Sequence, residues 1–201
     1  MALEAIKKHI TTDQVLDLYS GVGTIGLSVA RNHHLTLVEI DKSAFRELCK
    51  NITAEDLTRL TRSGMSEVSP VTTEQRSERN SNKFEFPSKA VPSRKAQTGA
   101  NERVRSGNIV AELTKAEDAT NYIEPDMTVI VDPPRAGCDK KLINRLLEVT
   151  PEKIIYLSCN PATQARDTKL LLDKYHIEEI KTFNFFPHTP HIENLLILTR
   201  K

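Results

Sequence analysis

Apolar residues along the chain recur with two alternating spacings, one typical of strands and one typical of helices. Short runs rich in valine, isoleucine and leucine predict strands at 15–19, 35–39, 129–131, 154–157 and 195–198. Apolar residues three and four positions apart predict helices at 1–10, after the glycine-rich turn as far as 30, and at 42–60, 140–149 and 162–175. Strands that alternate with helices predict an α/β fold with a parallel, doubly wound sheet.

One segment, at about 61–102, breaks this alternation. Its composition shifts to serine, threonine, proline, asparagine, glutamine and charged residues, with only isolated valine and phenylalanine. Such a composition buries too little apolar surface to fold, so we predict a disordered insertion within a single domain that spans 1–201. Basic residues outnumber acidic ones in the segment, which also permits contact with a nucleic acid, but a solvated insertion is the favoured interpretation.

Charge and cysteine content narrow the class of protein. Lysine and arginine total 28 against 27 aspartates and glutamates, and the net charge of +1 provides no overall field for a polyanion. Cys49, Cys138 and Cys159 form neither a disulfide framework nor a CxxC metal pair. No apolar stretch approaches the roughly 20 residues that cross a bilayer. We therefore expect a reduced, cytoplasmic chain that grips any nucleic acid through local patches.

A glycine-rich loop at 21–26, with the sequence GVGTIG, joins the first predicted strand to the next helix. Glycines let the backbone approach a ligand closely where a strand leads into a helix. Glu39 ends the second predicted strand, where a carboxylate accepts hydrogen bonds from both hydroxyls of a ribose. These features predict a ligand that contains adenosine, and a nicotinamide dinucleotide stays open because the loop also fits GxGxxG.

A proline-stiffened loop at 132–137, with the sequence DPPRAG, follows the predicted strand at 129–131. Open α/β sheets bind ligands at the carboxyl ends of their strands. Because prolines fix φ and lack amide protons, we expect the carbonyls of Pro133 and Pro134 to stay available to a substrate or cofactor. The alternative is a simple stop before the next helix.

Cys159 follows the predicted strand at 154–157 and precedes a predicted helix. A lone cysteine is often a small buried hydrophobe. The amino end of a helix carries partial positive charge, which stabilises the reactive thiolate and favours a nucleophile at this position. Cys49 falls within a predicted helix and Cys138 follows a glycine turn, so we interpret both as structural.

Glu193 closes a rigid polar segment just before the last predicted strand. By itself it is compatible with an ordinary surface residue. His188 and His191 precede it, but the spacing HxxHxE lacks a further obvious ligand, so we predict no metal site.

Four segments together resemble the RNA uracil-5-methyltransferase family, whose members act on tRNA or ribosomal RNA. They are DLYSGVGTIGL, VDPPRAG, YLSCNPAT followed by ARD, and FFPHTPHIE. The resemblance implies a Rossmann-like class I methyltransferase fold, α/β with a mostly parallel sheet and an antiparallel last strand. It also implies S-adenosylmethionine as the cofactor and C5 of a uracil in RNA as the methylated atom.

The same resemblance assigns roles to individual residues. Cys159 is the nucleophile that adds to C6 of uracil, and Glu193 is the base that removes the C5 proton. Asp132 matches a cofactor contact, with the uracil edge as an alternative partner. The full set of positions matching S-adenosylmethionine contacts is Tyr19, Gly21, Thr24, Glu39 and Asp132.

Two further hypotheses compete with this one. An amino-group methyltransferase is disfavoured because Arg135 stands where an aromatic residue follows the prolines in that class. The RNA-binding domain that precedes the catalytic domain in the family is missing from this sequence, so a module that binds cofactor and RNA without catalysis is the other alternative. We expect a monomer that binds RNA and no membrane.

Overall fold

The computed structural model describes residues 2–63, 102–185, 187–189 and 192–201, with backbone only for 53–63. Helices and strands alternate along these ranges. The α-helices are α1 (Ala2–Lys7), α2 (Thr24–Val29), α3 (Lys42–Ser63), α4 (Lys140–Val149) and α5 (Pro161–Leu171), with a 3₁₀ turn at Thr120–Tyr122. The strands are β1 (Gln14–Leu18), β2 (His34–Glu39), β3 (Arg103–Ser106), β4 (Ile109–Leu113), β5 (Met127–Val131), β6 (Lys153–Ser158), β7 (Tyr175–Phe183) and β8 (Glu193–Arg200).

The strands form one sheet in the order β3-β4-β2-β1-β5-β6-β8-β7. The five central strands, from β4 to β6, run parallel, while β8 and β7 are antiparallel at one edge and β3 is antiparallel at the other. The predicted doubly wound sheet with an antiparallel last strand is therefore confirmed. The strand order reverses beside β1, and open α/β sheets bind ligands at the carboxyl ends of the strands at such a point.

The sheet carries a hydrophobic core on each face. All five residues of β5 are buried, with Val129 and Val131 in one core and Ile130 in the other. This alternation explains why β5 is apolar throughout, since helices cover both faces of a central parallel strand. Burial of each such side chain contributes about 1.5–3 kcal/mol, which makes the central strands a rigid base for the loops at their carboxyl ends.

Two parts of the fold differ from the sequence prediction. The helix predicted at 162–175 ends at Leu171, and Tyr175 begins β7 instead. The Tyr175 ring is buried and its hydroxyl donates to the carbonyls of Leu146 and Pro151, whereas most of the edge strand that follows is exposed and lacks a clear apolar period. The hairpin of β3 and β4 was also unpredicted, although it turns at Gly107-Asn108, a typical hairpin dipeptide.

Residues 64–101 of the predicted insertion lie outside the described residues, as do Phe186, Pro190 and His191. Within the described ranges, no helix is long and apolar enough to cross a membrane.

Candidate functional site

The glycine-rich loop after β1 turns through three left-handed residues. Tyr19, Gly21 and Gly23 have φ of 64°, 57° and 86°. A Cβ atom at Gly23 would lie 2.6 Å from Cδ1 of Leu48 and 2.7 Å from Cδ1 of Leu27. Only glycine fits this position, because both the positive φ and the close packing exclude a side chain. The loop thereby delivers the chain directly into α2 at the carboxyl end of β1.

Three backbone amides hold the carboxylate of Glu39. Gly21 donates to Oε2 at 2.7 Å, while Ile40 and Asp41 donate to Oε1 at 2.8 and 2.6 Å. A carboxylate oxygen has two lone-pair sites, so Oε2 keeps capacity for one more hydrogen bond. Glu39 is thus a fixed acceptor at the end of β2, joined to the glycine-rich loop by its own side chain.

Asp17 lies in β1, completely buried beneath the same loop. Its Oδ2 accepts from the amide of Gly26 at 2.9 Å, while Oδ1 has no hydrogen-bond partner among the described residues. Burial raises the pKa of the Asp17 carboxyl to about 7, and the charges of Asp132 and Glu39 add to this effect. The glycine-rich loop therefore rests on an acid that keeps its proton near neutral pH.

A cleft of about 820 Å³ opens at the carboxyl ends of β1, β2, β4 and β5. Tyr19 and Glu39 line it, together with the start of α4 and the apolar side chains of Ile143 and Leu170. Three other residues predicted to contact a cofactor do not line this cleft. They are Gly21, Thr24 and Asp132. Thr24 is the first residue of α2 and is exposed.

Cys159 and Glu193 flank the same cross-strand pair. Ser158 at the end of β6 pairs with Asn194 of antiparallel β8, so Cys159 follows that pair on one strand and Glu193 precedes it on the other. Both residues are half-buried, and Glu193 also pairs with Phe183 of β7. The antiparallel pairing of β6 and β8 thus places the backbones of these two residues, 34 positions apart in sequence, beside the same pair of strand ends.

Asp132 follows β5 and shares the environment of Glu193. Burial, together with the negative charge of Glu193, raises the pKa of the Asp132 carboxyl to about 6. The charge of Asp132 also raises the pKa of the Asp17 carboxyl. Asp17 in β1 and Glu193 in β8 therefore both interact with the carboxyl of Asp132. Asp132 therefore lies between the two groups of predicted site residues.

The thiols of the other two cysteines have raised pKa values. Cys138 is buried, and burial raises the pKa of its thiol to about 12. Cys49 lies in α3, where burial also raises the pKa of the thiol. Both thiols are disfavoured as nucleophiles because the thiolate is the reactive form.

The first turn of α5 ties the loop after β5 to the loop after β6. Asn160 caps the helix by accepting from the amide of Ala162 at 3.2 Å, and its Nδ2 donates to the carbonyl of Arg135 at 3.0 Å. Thr163 donates to the same carbonyl at 3.1 Å. The residue after Cys159 is therefore fixed at both ends of its side chain.

Asp167 fixes the end of the DPPRAG loop from the next turn of α5. The buried carboxylate accepts through Oδ2 from the amide of Cys138 and from the hydroxyl of Tyr156, each at 2.8 Å. Gly137 has φ of 85°, and a Cβ atom there would lie 2.6 Å from both Asp167 Oδ2 and Arg166 Nη2. The loop packs on α5 too closely to admit a side chain at this position.

The expectation that the carbonyls of the two prolines stay available is wrong for Pro134, and the next two carbonyls of the loop are also occupied. The Pro134 carbonyl accepts from the amide of Gly137 at 2.9 Å, and the Arg135 carbonyl accepts the contacts from α5 described above. The Ala136 carbonyl accepts from Arg166 at 2.9 Å. The prolines do keep the loop out of regular structure, but a local turn satisfies the carbonyl of Pro134, and side chains of α5 and of its N-cap satisfy those of Arg135 and Ala136.

Comparison with known proteins identifies the family of this chain. The model of a family described as tRNA (uracil-5-)-methyltransferase matches residues 101–201, half of the chain. The chain belongs to this family. A second family, described as conserved hypothetical protein 95, matches residues 2–86.

The individual relatives of this family member are named RNA methyltransferases. It is 32% identical to an uncharacterised RNA methyltransferase of Staphylococcus epidermidis over 93% of this chain and 31% of the relative. It is 47% identical to one of Bacillus cereus over 38% of this chain and 17% of the relative. The chain thus spans about a third of the length of the relatives that match most of it.

Solved structures of methyltransferases are also similar to this chain. The tRNA (uracil-54, C5)-methyltransferase of Pyrococcus abyssi, in complex with S-adenosyl-L-homocysteine, matches with a TM-score of 0.65 and 28% identity, over 98% of this chain and 37% of that one. An rRNA methylase from Streptococcus thermophilus matches with a TM-score of 0.55 over 100% of this chain and 94% of that one, at 10% identity, which shows a shared fold.

Sequence reasoning gave no roles to several polar residues that build the site in this family member. These residues are Asp17, Asn160, Thr163, Gln164, Asp167 and Asn194. In α5, the feature of the sequence that could have indicated these residues is a run of polar side chains on the helix face that the structure buries. Gln164 and Asp167 on that face are each 2% exposed. Among the described residues there is no group of three or more side chains able to hold a metal ion, and His191 is not among those residues.

Proposed function

We propose that this chain transfers a methyl group from S-adenosylmethionine to C5 of a uracil in RNA, with Cys159 as the nucleophile and Glu193 as the base. The observation that carries the proposal is the placement of both residues beside the last cross-strand pair of β6 and β8. The membership in the tRNA (uracil-5-)-methyltransferase family supports the same reaction.

The cleft fits the proposed cofactor in size, polarity and position. A volume of about 820 Å³ at the strand ends is enough for an adenosine with its amino-acid arm. Glu39, oriented by three amides, offers Oε2 to the ribose, and the side chains of Ile143 and Leu170 provide apolar walls for the base. Tyr19, Gly21, Thr24 and Asp132 are the further proposed contacts. When bound, S-adenosylmethionine supplies an electrophilic methyl group.

The residues of the chain supply the two steps that uracil itself cannot. C5 of uracil is a weak nucleophile, so the Cys159 thiolate first adds to C6, and the electron pair of the C5–C6 bond becomes available at C5. Once C5 carries the methyl group, Glu193 removes the C5 proton. The electrons of that C–H bond reform the C5–C6 bond and expel the thiolate, which restores the enzyme.

The target base must also be reached and held. A paired uracil leaves the stack before it enters such a pocket, at a cost of a few kcal/mol. Asp132 lies near Glu193, and its raised pKa keeps a proton that can be donated to a carbonyl oxygen of the pyrimidine below about pH 6. The same carboxyl is therefore placed to contact either the cofactor or the uracil edge.

The test replaces each cysteine in turn and measures transfer of a labelled methyl group to a mixture of tRNA and ribosomal RNA transcripts. We expect Cys159→Ala to lose on the order of 10³-fold or more of the transfer rate, because no other group in the site forms the C6 bond. Cys49→Ala is the matched control and should retain the wild-type rate. Undiminished transfer by Cys159→Ala would contradict the proposal, and cofactor binding without any transfer by the wild-type chain would favour a non-catalytic module.

A further inference from the structure

Gln164 is a buried amide that joins three parts of the site. It lies on the second turn of α5 with 2% of its surface exposed. Its Nε2 donates to the carbonyl of Tyr156 in β6 at 2.9 Å and to the carbonyl of Asn194 in β8 at 3.2 Å. Its Oε1 accepts from Nδ2 of Asn194 at 2.6 Å. One side chain thus makes three hydrogen bonds, and two of them go to the residue next to Glu193.

Asn194 extends this connection to the edge of the sheet. Its Oδ1 accepts from the hydroxyl of Thr182 in β7 at 2.8 Å, while its Nδ2 is held by Gln164. Both ends of the Asn194 side chain are therefore fixed, as is its carbonyl. Because Glu193 is the first residue of β8, the position of its backbone depends on how firmly the strand is held at Asn194.

We propose that Gln164 and Asn194 are positioning residues for Glu193, which hold the carboxylate where it removes the C5 proton without contacting the substrate themselves. This inference rests on the proposed function. The same helix, α5, begins beside Cys159, where Asn160 caps it. The first turn of α5 thus positions the nucleophile, and its second turn positions the base. A misplacement of about 1 Å costs on the order of 10²-fold in a reaction that depends on such alignment.

Loss of the proposed contacts should affect one step of the reaction. In Gln164→Leu the volume is roughly kept, and Asn194, which is half-buried, can turn its amide to water. Addition of Cys159 to C6 and arrival of the methyl group do not need Glu193, whereas removal of the C5 proton does. The methylated RNA should therefore stay linked to Cys159 for longer, and a complex stable in denaturant should accumulate with ordinary RNA.

The experiment compares wild type, Gln164→Leu, Asn194→Ala and Thr168→Val in the 201-residue chain. Thr168 is the matched control, because it is buried on the same helix and its hydroxyl donates to the backbone carbonyl of Gln164, at 2.7 Å, and not to β8. We expect kcat of Gln164→Leu to fall roughly ten- to hundred-fold with KM for RNA within about twofold, and covalent RNA to accumulate on denaturing gels. Asn194→Ala should do the same, and the double variant should lose little more.

The outcomes separate the two proposals. If Gln164→Leu and Asn194→Ala match Thr168→Val in kcat and in covalent RNA, or if kcat falls without accumulation, the positioning role is overturned while the proposed function stands. If Gln164→Leu fails to fold, Asn194→Ala alone decides by the same two measurements. If the wild-type chain neither methylates RNA nor forms an adduct with 5-fluorouracil RNA, the proposed function fails and this inference falls with it.

Discussion

The two halves of the sheet edge hold their functional groups by different means. On the side of β1 and β2, backbone amides hold Glu39, and left-handed residues shape the loop at 19–23. On the side of β5, β6 and β8, the side chains of α5 hold the loops that carry Asp132, Cys159 and the strand that carries Glu193. The first half is held by contacts between residues close in sequence, and the second by contacts between segments that are distant in sequence.

This difference has a physical consequence for how each half responds to change. Every substitution except proline keeps the backbone amide, so the half proposed to bind the cofactor depends mainly on its glycine positions and on the buried acid Asp17. The half on the side of β5, β6 and β8 depends on individual side-chain hydrogen bonds, each of which contributes about 1 kcal/mol to stability. These bonds together keep the site residues in position. Substitutions in the second half should therefore impair turnover well before they impair cofactor binding.

The largest expected effect comes from Glu193→Gln. An amide accepts no proton, so turnover should fall by roughly 10²–10⁴-fold, while the dissociation constant of S-adenosylhomocysteine stays within about twofold of wild type. Isothermal titration calorimetry and labelled methyl transfer measure the two quantities. A parallel loss of cofactor affinity would break the division between the halves, and unchanged turnover would remove Glu193 from the reaction.

Asp17→Asn should change how stability depends on pH. The unfolded carboxyl loses its proton near pH 4, but burial raises the folded pKa to about 7, so the folded state binds more protons between these values. The Asp17 contribution to the free energy of unfolding therefore falls as pH rises through this window, by at most about 1.4 kcal/mol per unit. Urea titrations at pH 5 and pH 8 should show a smaller decrease for Asp17→Asn than for wild type.

The exposed Asp13 provides the control for that measurement. Asp13→Asn should retain the wild-type difference between the two pH values. An identical difference in all three proteins would mean that Asp17 is not the group whose protonation stabilises the glycine-rich loop.

The smallest effects should come from two helix caps, one in each half. Asn160→Ala and Asp41→Ala each remove a side chain that accepts from amides at a helix start, at a cost of about 1 kcal/mol. Asn160→Ala should also lower turnover, because the link to the Arg135 carbonyl is lost. Asp41→Ala should instead weaken cofactor binding, because the cap at the start of α3 holds in place the backbone amide of Asp41 that donates to Glu39. Equal effects of both variants on both measurements would contradict the comparison.

The local half of the site was the easier half to predict from sequence. The glycine spacing at 21–26 and the acid at Glu39 lie within 20 residues of each other, and strand periodicity was enough to place them. The role of Asp17 was missed because an aspartate in a short strand gives no sign that it is buried without a partner for one oxygen.

In the half assembled from distant segments, the sequence predicted the functional groups but not the contacts that hold them. Cys159 and Glu193 were selected as functional, and the strand ends near them were predicted, but their assigned roles remain proposals. The hydrogen bonds made by Asn160, Gln164 and Asp167 could not be predicted, since they join α5 to segments distant in sequence. Asn160 and Asp167 bond the loop after β5, which the parallel pairing of β5 and β6 brings near, and Gln164 bonds β8, which pairs antiparallel with β6. The error about the Pro134 carbonyl has a local origin instead, because the loop turns back so that the amide of Gly137 donates to it.

The covalent role of Cys159 is tested most directly with RNA transcripts that contain 5-fluorouracil. Fluorine cannot leave C5 as a proton does, so the bond between sulfur and C6 should persist after methyl transfer. We predict a cofactor-dependent adduct that peptide mass mapping locates at Cys159. An adduct at Cys49 or Cys138, or no adduct in a chain that methylates ordinary RNA, would contradict the account.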